Sequence, residues 1–219
     1  MAAPTTYAEL QTEIAGFLSR SDLTSKIPNF IAYAEAKLNR KLRLREMEQT
    51  ATASYTSASR FVGLPAGFLE LMNLRIKKAS DADTKYERLN PVAPSRIDEF
   101  YLDSAGCPSR YCLRDQFELN READQEYTLH MYYLKKWDIA SDSSNWLLTN
   151  YPDAYVYGAL VEAEMYVRND NRVTTWKSMF REVMTELDDL DERSRDDTEM
   201  GTDLYLLNSN RYGYDINEG

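Results

Sequence analysis

The segment that begins at Pro152 predicts a helix that is apolar around most of its circumference. Proline suits the first helical position, and Asp153 favours the positive end of the helix dipole. Apolar or small residues mark two sides of this helix: Ala154, Tyr155, Gly158, Val161 and Met165 on one, Val156, Ala159, Leu160 and Ala163 on the other. Such a helix lies at the centre of a bundle. The rest of the chain must therefore supply helices that cover it.

Three other segments have the period of amphipathic helices. Residues 5–19 and the segment from Thr24 each carry one apolar stripe, and Glu9 can complete a capping box on Thr5 or Thr6. The last helix carries a coiled-coil-like seam of Val173, Trp176, Phe180, Val183, Leu187 and Leu190. We therefore expect a bundle of about four helices.

The middle of the chain has the pattern of strands. "EMEQTATASYTS", "LPAGFLELMNLRIKK" and "EYTLHMYYLKK" show alternation or a turn that leads into an alternating run. "APSRIDEFYL" predicts a short helix, with Ser95 as its cap and Ile97 pointing inward. We expect about five short strands, which form a small antiparallel β lobe inserted between the helical halves.

The predicted fold class is therefore α+β: mainly a helical bundle, with an inserted β lobe and an extended C-terminal arm. The expected segments are 1–46 (N-terminal helical pair), 47–144 (lobe), 145–195 (C-terminal helical pair) and 196–219 (arm). Beyond about residue 195 helical periodicity stops, yet apolar anchors continue: Leu204, Tyr205, Leu206, Leu207, Tyr212 and Tyr214. We favour an arm that becomes ordered on a partner. The alternative is that it folds back on its own domain.

Charge and hydropathy exclude several classes of function. A net charge of -10 repels nucleic acid on average, which argues against sequence-specific DNA binding. No apolar run approaches the roughly 20 residues that cross a bilayer, so we expect no membrane partner. The N-terminal residues do not resemble a secretory signal, and Cys107 and Cys112 form no disulfide framework. These features favour a reducing compartment.

Catalytic signals are sparse. His130 is the only histidine and lies in a strand pattern, while Cys107 and Cys112 lack the second pair that a zinc site needs. We predict no catalytic residue, metal or cofactor. The alternative is a cell-wall glycoside hydrolase with a carboxylate pair at Glu162 and Glu164. The favoured interpretation is that these two carboxylates pair with arginines or face a solvated groove.

Two further clusters predict contacts. The basic run in "KLNRKLRLR" can contact phosphate, be solvated, or pair with the acidic end of the last helix in the same chain or the next subunit; we favour the last two. The candidate inter-subunit residues are Arg40, Lys41, Arg43, Arg45, Asp188 and Asp189. An aromatic cluster of Trp146, Tyr151, Tyr155 and Tyr157 is expected to lock the lobe onto the bundle, with direct partner contact as the alternative.

Four motifs, in this order, resemble those of the head-to-tail adaptor proteins of short-tailed bacteriophages, also called tail accessory or head completion proteins. They are "IPNFIAYAEAKLNRKLRLREME", "LPAGFLELMNL", "GCPSRYCL" and "NWLLTNYPDAYVYGALVEAEMY". The resemblance spans roughly residues 24–190 and leaves the segment past residue 195 without a matching motif.

The resemblance implies a structural virion protein at the neck, assembled in the host cytoplasm. It implies a homo-oligomer, usually a dodecameric ring, that docks on the portal protein and extends the DNA channel. The ring would support the next tail component, a nozzle or tube protein, and genomic DNA would pass through without specific binding. The arm is then the segment expected to reach the portal, and no enzyme activity is implied.

Overall fold

The chain forms two compact units in a computed structural model, which describes residues 3–56, 59–80, 86–167 and 170–209, with backbone alone at 170, 171 and 194–209. The helical unit combines Met1–Glu46 with Asp138–Gly219, and the β lobe is Met47–Trp137. The α+β class predicted from the sequence is confirmed. Residues 138–144, which the sequence analysis assigned to the lobe, belong instead to the helical unit.

The helical unit is built from six α-helices over the described residues: α1 (Tyr7–Leu18), α2 (Ile27–Lys41), α3 (Ile139–Asp142), α4 (Trp146–Asn150), α5 (Pro152–Val167) and α6 (Asp170–Ser209). Helix α5 lies at the centre and contacts α1, α2, α4 and α6. Its apolar residues are buried on several sides, as the sequence predicts. At Gly158, an added Cβ would lie 3.0 Å from the Ala34 Cβ and 3.1 Å from a ring carbon of Phe180. Helices α2 and α6 therefore approach α5 closely at this glycine.

Local signals set the helix ends. The predicted capping box is present in α1: the Glu9 amide donates to the Thr6 hydroxyl at 3.3 Å, and the Glu9 carboxylate accepts from the Thr6 amide at 3.2 Å. At the end of α2, the Arg43 guanidinium donates to the carbonyls of Asn39 at 3.1 Å and Leu42 at 2.7 Å. A cation at this position satisfies carbonyls that have no partner within the helix.

Helix α6 buries three members of its predicted seam in its first half, and Trp176 and Phe180 are half-buried there. Val173, Val183 and Leu187 are buried, whereas Leu190 is 37% exposed. The helix then continues to Ser209, where the sequence analysis predicted an extended arm from residue 196. Residues 191–209 contain no proline, and two Glu, two Arg and three Leu favour a helix against four Asp and Gly201, so no residue there forces the helix to end.

The β lobe holds two four-stranded sheets, with strand orders β1-β8-β3-β4 and β2-β7-β6-β5. The strands are β1 (Glu48–Tyr55), β2 (Phe61–Gly63), β3 (Phe68–Lys78), β4 (Glu87–Arg88), β5 (Asn90–Pro91), β6 (Arg110–Leu113), β7 (Gln116–Leu119) and β8 (Tyr127–Lys135). All pairs are antiparallel except β5 with β6. The predicted inward face of β8 is confirmed, since Tyr127, Leu129, Met131 and Tyr133 are all buried.

Two local predictions in and beside the lobe need correction. The short helix at Pro94–Phe100 is a 3-10 helix whose N-cap is Ala93, not Ser95, because Pro94 with its fixed φ already occupies the first turn. Ile97 is fully buried, as expected. The lobe ends at Trp137 because the Asp138 side chain accepts from the Ser141 amide at 3.2 Å and starts α3.

Candidate functional site

A basic groove of about 640 Å³ opens on the helical unit between α2, α5 and α6. Lys37, Arg40 and Lys41 line it from α2, and Lys177 and Arg181 line it from α6. Its base and rim are completed by Val161, Phe180, Met184, Thr185 and Asp188. We call this surface the basic groove. It concentrates five cations in a chain whose net charge is -10.

Most of these cations have no acidic partner among the residues that the structure describes. Lys37 pairs with Glu162 on α5. Arg40, Lys41, Lys177 and Arg181 make no ion pair with the described part of the chain. Like charges held together on one surface repel each other, so an anionic partner would be favoured there.

The six residues predicted to make inter-subunit charge contacts do not all lie on one surface. Arg40, Lys41 and Asp188 all line the basic groove. Two of the predicted basic residues and one of the predicted acidic residues therefore lie on the same surface of a single chain. Arg43 instead caps α2, and Arg45 lies in the short 3-10 helix Arg45–Met47. Asp189 lies next to Asp188 on α6 but is not part of the groove lining. The inter-subunit role of these residues stays a prediction.

A buried polar network holds the centre of the helical unit. The Glu35 carboxylate on α2 accepts from the Ile139 amide and from the Tyr155 hydroxyl, each at 2.8 Å. The Tyr155 hydroxyl in turn accepts from the Asn145 side-chain amide at 2.7 Å. The network therefore ties α2 and α5 to the start of α3 and to the N-cap of α4. Glu35 was not among the residues predicted from the sequence.

Burial controls the ionisation of this network. Loss of solvent raises the pKa of the Glu35 carboxyl above its ordinary value, although the bonds from Ile139 and Tyr155 oppose the rise. Burial, together with the nearby Glu35 charge, also raises the pKa of Tyr155. The tyrosine is therefore a permanent hydroxyl donor over the range in which proteins are stable.

Wild type should lose stability as pH rises because of Glu35, and Glu35→Gln should remove this loss. The folded protein binds the Glu35 proton more tightly than the unfolded chain, so its contribution is greatest below about pH 4.3 and falls as pH rises through the folded-state pKa. Glutamine keeps the acceptor oxygen and stays neutral. Urea unfolding of both proteins from pH 4 to pH 8 should show wild type losing stability relative to the variant. A difference that does not change with pH would contradict this prediction.

The four rings predicted to lock the lobe onto the bundle make contacts within the helical unit. Trp146 and Tyr151 lie 5.6 Å apart between ring centroids, and Tyr157 stacks on Trp176 at 5.9 Å. Trp176 also meets Phe17 of α1 edge to face at 5.8 Å. Tyr155 is fully buried in the network described above. These contacts hold the helices together, and the proposed lock between lobe and bundle stays a prediction.

The carboxylates of the hydrolase alternative each lie beside a cation. Glu162 pairs with Lys37, and buried Glu164 lies 3.2 Å from the Arg172 guanidinium. The favoured interpretation, pairing with arginines, holds for Glu164, whereas Glu162 pairs with a lysine. His130 packs against the Tyr86 ring on the lobe, at 5.2 Å between centroids. Within the described residues, no group of acidic, histidine or cysteine side chains could hold a metal ion.

Comparison with protein families identifies the chain. The family model described as SU10 adaptor protein matches residues 5–202, which covers nearly all of both units. The chain belongs to the SU10 adaptor protein family. This is a family of bacteriophage head-to-tail adaptors, so the chain is a phage structural protein of the adaptor type. A search of curated proteins finds no match.

The motifs that carried the adaptor resemblance lie at structural junctions. "IPNFIAYAEAKLNRKLRLREME" forms α2 and the link to β1, and "NWLLTNYPDAYVYGALVEAEMY" forms α4 and most of α5. In "LPAGFLELMNL", Gly67 adopts a φ of 70° in the turn before β3, and its carbonyl accepts from the Lys136 amide at 2.8 Å. An L side chain rarely adopts this φ, which explains the glycine.

The residues predicted to form the arm lie at or beyond residue 209, the last residue that the structure describes, or in the segment just before it, where only the backbone is described. The backbone of Leu204, Tyr205, Leu206 and Leu207 is part of α6, and Tyr212 and Tyr214 lie outside the described residues.

None of the described helices contains an apolar stretch long enough to cross a bilayer. Lys177 and Arg181 of the basic groove were not among the residues predicted from the sequence. Their spacing of four residues places both cations on one side of α6. The sequence does not show that this side faces the cations of α2, because that depends on how α2 and α6 pack on α5.

Proposed function

We propose that this adaptor docks on the portal protein, extends the DNA channel and supports the next tail component, a nozzle or tube protein. The observation that carries the proposal is the family match over residues 5–202, which includes both the helical unit and the lobe. The location that follows is the virion neck at the portal vertex, after assembly in the host cytoplasm.

The proposed working state is a homo-oligomeric, dodecameric ring. A chain that carries a basic groove and an overall negative charge has complementary surfaces for head-to-tail association. Such heterologous contacts close into a ring when the rotation between neighbours permits. A net charge of -10 per copy also disfavours adhesion of genomic DNA, so the polyanion can pass without specific binding.

The portal contact is assigned to residues 196–219. Leu204, Tyr205, Leu206, Leu207, Tyr212 and Tyr214 supply apolar and aromatic anchors at the end of an otherwise acidic chain. Anchors of this kind suit insertion of a terminal segment into a groove on a partner. No observation favours the alternative cell-wall hydrolase, because Glu162 and Glu164 are each held by a cation.

Removal of residues 198–219 should abolish docking on the portal without unfolding the helical unit. The truncation keeps α6 through its buried seam, whose last fully buried member is Leu187. Wild type and the truncated protein would be mixed with purified portal and imaged by negative-stain electron microscopy. We expect a ring on the portal with wild type and bare portal with the truncated chain. Normal docking of the truncated chain would overturn the assignment of the arm, and failure of wild type to bind would overturn the function.

A further inference from the structure

We infer that the basic groove is the seat for the acidic outer face of α6 from a neighbouring copy of the same chain. This inference rests on the proposed ring and names the surfaces that would hold neighbouring subunits together. We call the donor surface the acidic stripe. It comprises Glu182, Glu186 and Asp189, all of which are exposed.

The groove has the chemistry of a site for an acidic helix. Four of its cations lack an ion-pair partner within the described residues, and Val161, Phe180 and Met184 provide apolar surface beneath them. Exposed ion pairs contribute little affinity individually. Opposite charges across an interface instead accelerate association and select the partner, while apolar contact supplies affinity. A matching partner must therefore present carboxylates beside apolar side chains.

The acidic stripe meets that description. Spacings of four and three residues place Glu182, Glu186 and Asp189 along one side of α6, over about 10 Å of helix. Met179 and Leu190, each 37% exposed, border the stripe. None of the three carboxylates has an ion pair with the part of the chain that the structure describes. The stripe therefore pairs carboxylates with apolar neighbours, as the groove requires.

The position of the two surfaces favours a head-to-tail contact over a two-fold dimer. Lys177 and Arg181 line the groove from one side of α6, whereas Glu182 and Glu186 lie about 140° further around the helix. A two-fold dimer would need both surfaces of one copy to face the same partner, which their positions on nearly opposite sides of α6 disfavour. A contact from stripe to groove leaves each copy with one free groove and one free stripe. The next copies can then add in the same way.

Charge reversal tests this contact. The double variant Lys177→Glu/Arg181→Glu removes the net positive charge of the groove lining, which keeps Lys37, Arg40, Lys41 and Asp188. Glu182→Lys/Glu186→Lys gives the stripe a net positive charge. Each should lower the fraction of portal carrying a complete ring at least 10-fold. The four changes combined in one chain place the two introduced carboxylates opposite the two introduced ammonium groups at each contact, so ring formation should return. All changed residues are exposed on α6, and circular dichroism would verify that the variants are folded.

A matched control separates local from overall charge. Lys26→Glu/Lys78→Glu makes the same change in net charge as Lys177→Glu/Arg181→Glu, at exposed positions outside the groove, and should assemble as wild type does. Normal rings from both reversed variants would overturn the inference while leaving the proposed adaptor function standing. Absence of portal binding by wild type would count against the function instead.

A second measurement tests the contact without the portal. A concentrated mixture of isotope-labelled and unlabelled chains would be treated with a carbodiimide, which joins amines to carboxylates directly. We expect Lys177 or Lys41 linked to Glu182 or Glu186 in peptides that combine one labelled and one unlabelled chain. Glu182→Gln/Glu186→Gln should remove these links. Absence of these cross-links from the wild-type protein would overturn the inference. It would also be overturned if reversing the charges of the groove abolished DNA retention but left ring assembly intact.

Discussion

Tyr155→Ala is expected to lower the free energy of unfolding of the helical unit by about 3–5 kcal/mol. The ring is fully buried at the centre of the bundle, so its removal leaves a cavity that the surrounding helices fill only in part. The Glu35 carboxylate and the Asn145 amide would also lose the hydroxyl that joins them. Loss of a partner for a buried charged group adds to the cost.

The measurement is urea unfolding followed by tryptophan fluorescence, because Trp146 and Trp176 both lie in the helical unit. Tyr155→Phe is the matched control, since it keeps the ring and removes the hydroxyl alone. We expect it to cost about 1–3 kcal/mol, less than the alanine variant. An alanine variant within about 1 kcal/mol of wild type would show that this network does not hold the bundle.

Gly158→Val is expected to destabilise the same unit by about 3 kcal/mol. A Cβ at this position would lie 3.0 Å from Ala34 and 3.1 Å from Phe180, and valine adds two methyl groups beyond it. The backbone of α2 would have to move away from α5 because the Ala34 Cβ cannot rotate aside. The matched control is Gly16→Ala in α1, where nothing lies within 4 Å of the added Cβ. It should stabilise the protein by about 0.5–1 kcal/mol through helix propensity.

The two glycine variants would be compared by the same urea titration. If Gly158→Val were as stable as wild type, α2, α5 and α6 would not be packed as closely as described. Gly158 also bears on the basic groove, because α2 and α6 supply the two walls of the groove and both approach α5 at this residue. A variant that separates these helices should therefore weaken ring formation as well as folding.

Helix ends and buried faces were predictable where a local pattern carried the information. The spacing of Thr6 and Glu9 gave the capping box, and the alternation in β8 gave its buried face. The apolar circumference of α5 correctly placed it at the centre of the helical unit. Each of these features depends on residues within or next to a single helix or strand, so no tertiary information was needed.

Other features depend on contacts that the sequence does not display. Strands of two or three residues, such as β2 and β5, are too short to show a period and exist through pairing with β7 and β6. The Glu35 network joins residues that are 104 and 120 positions apart. The basic groove likewise forms only when α2 and α6 pack on α5. The continuation of α6 to Ser209 was missed because residues 191–199 carry no apolar side chain, so the apolar seam is interrupted there.

The most direct test of the account is an electron cryomicroscopy reconstruction of the neck of the phage particle that carries this protein. We expect a closed ring of this chain seated on the portal, with the acidic stripe of each copy in the basic groove of the next. The same map should show residues 196–219 against the portal. A portal vertex that contains no copy of this chain would contradict the proposed function.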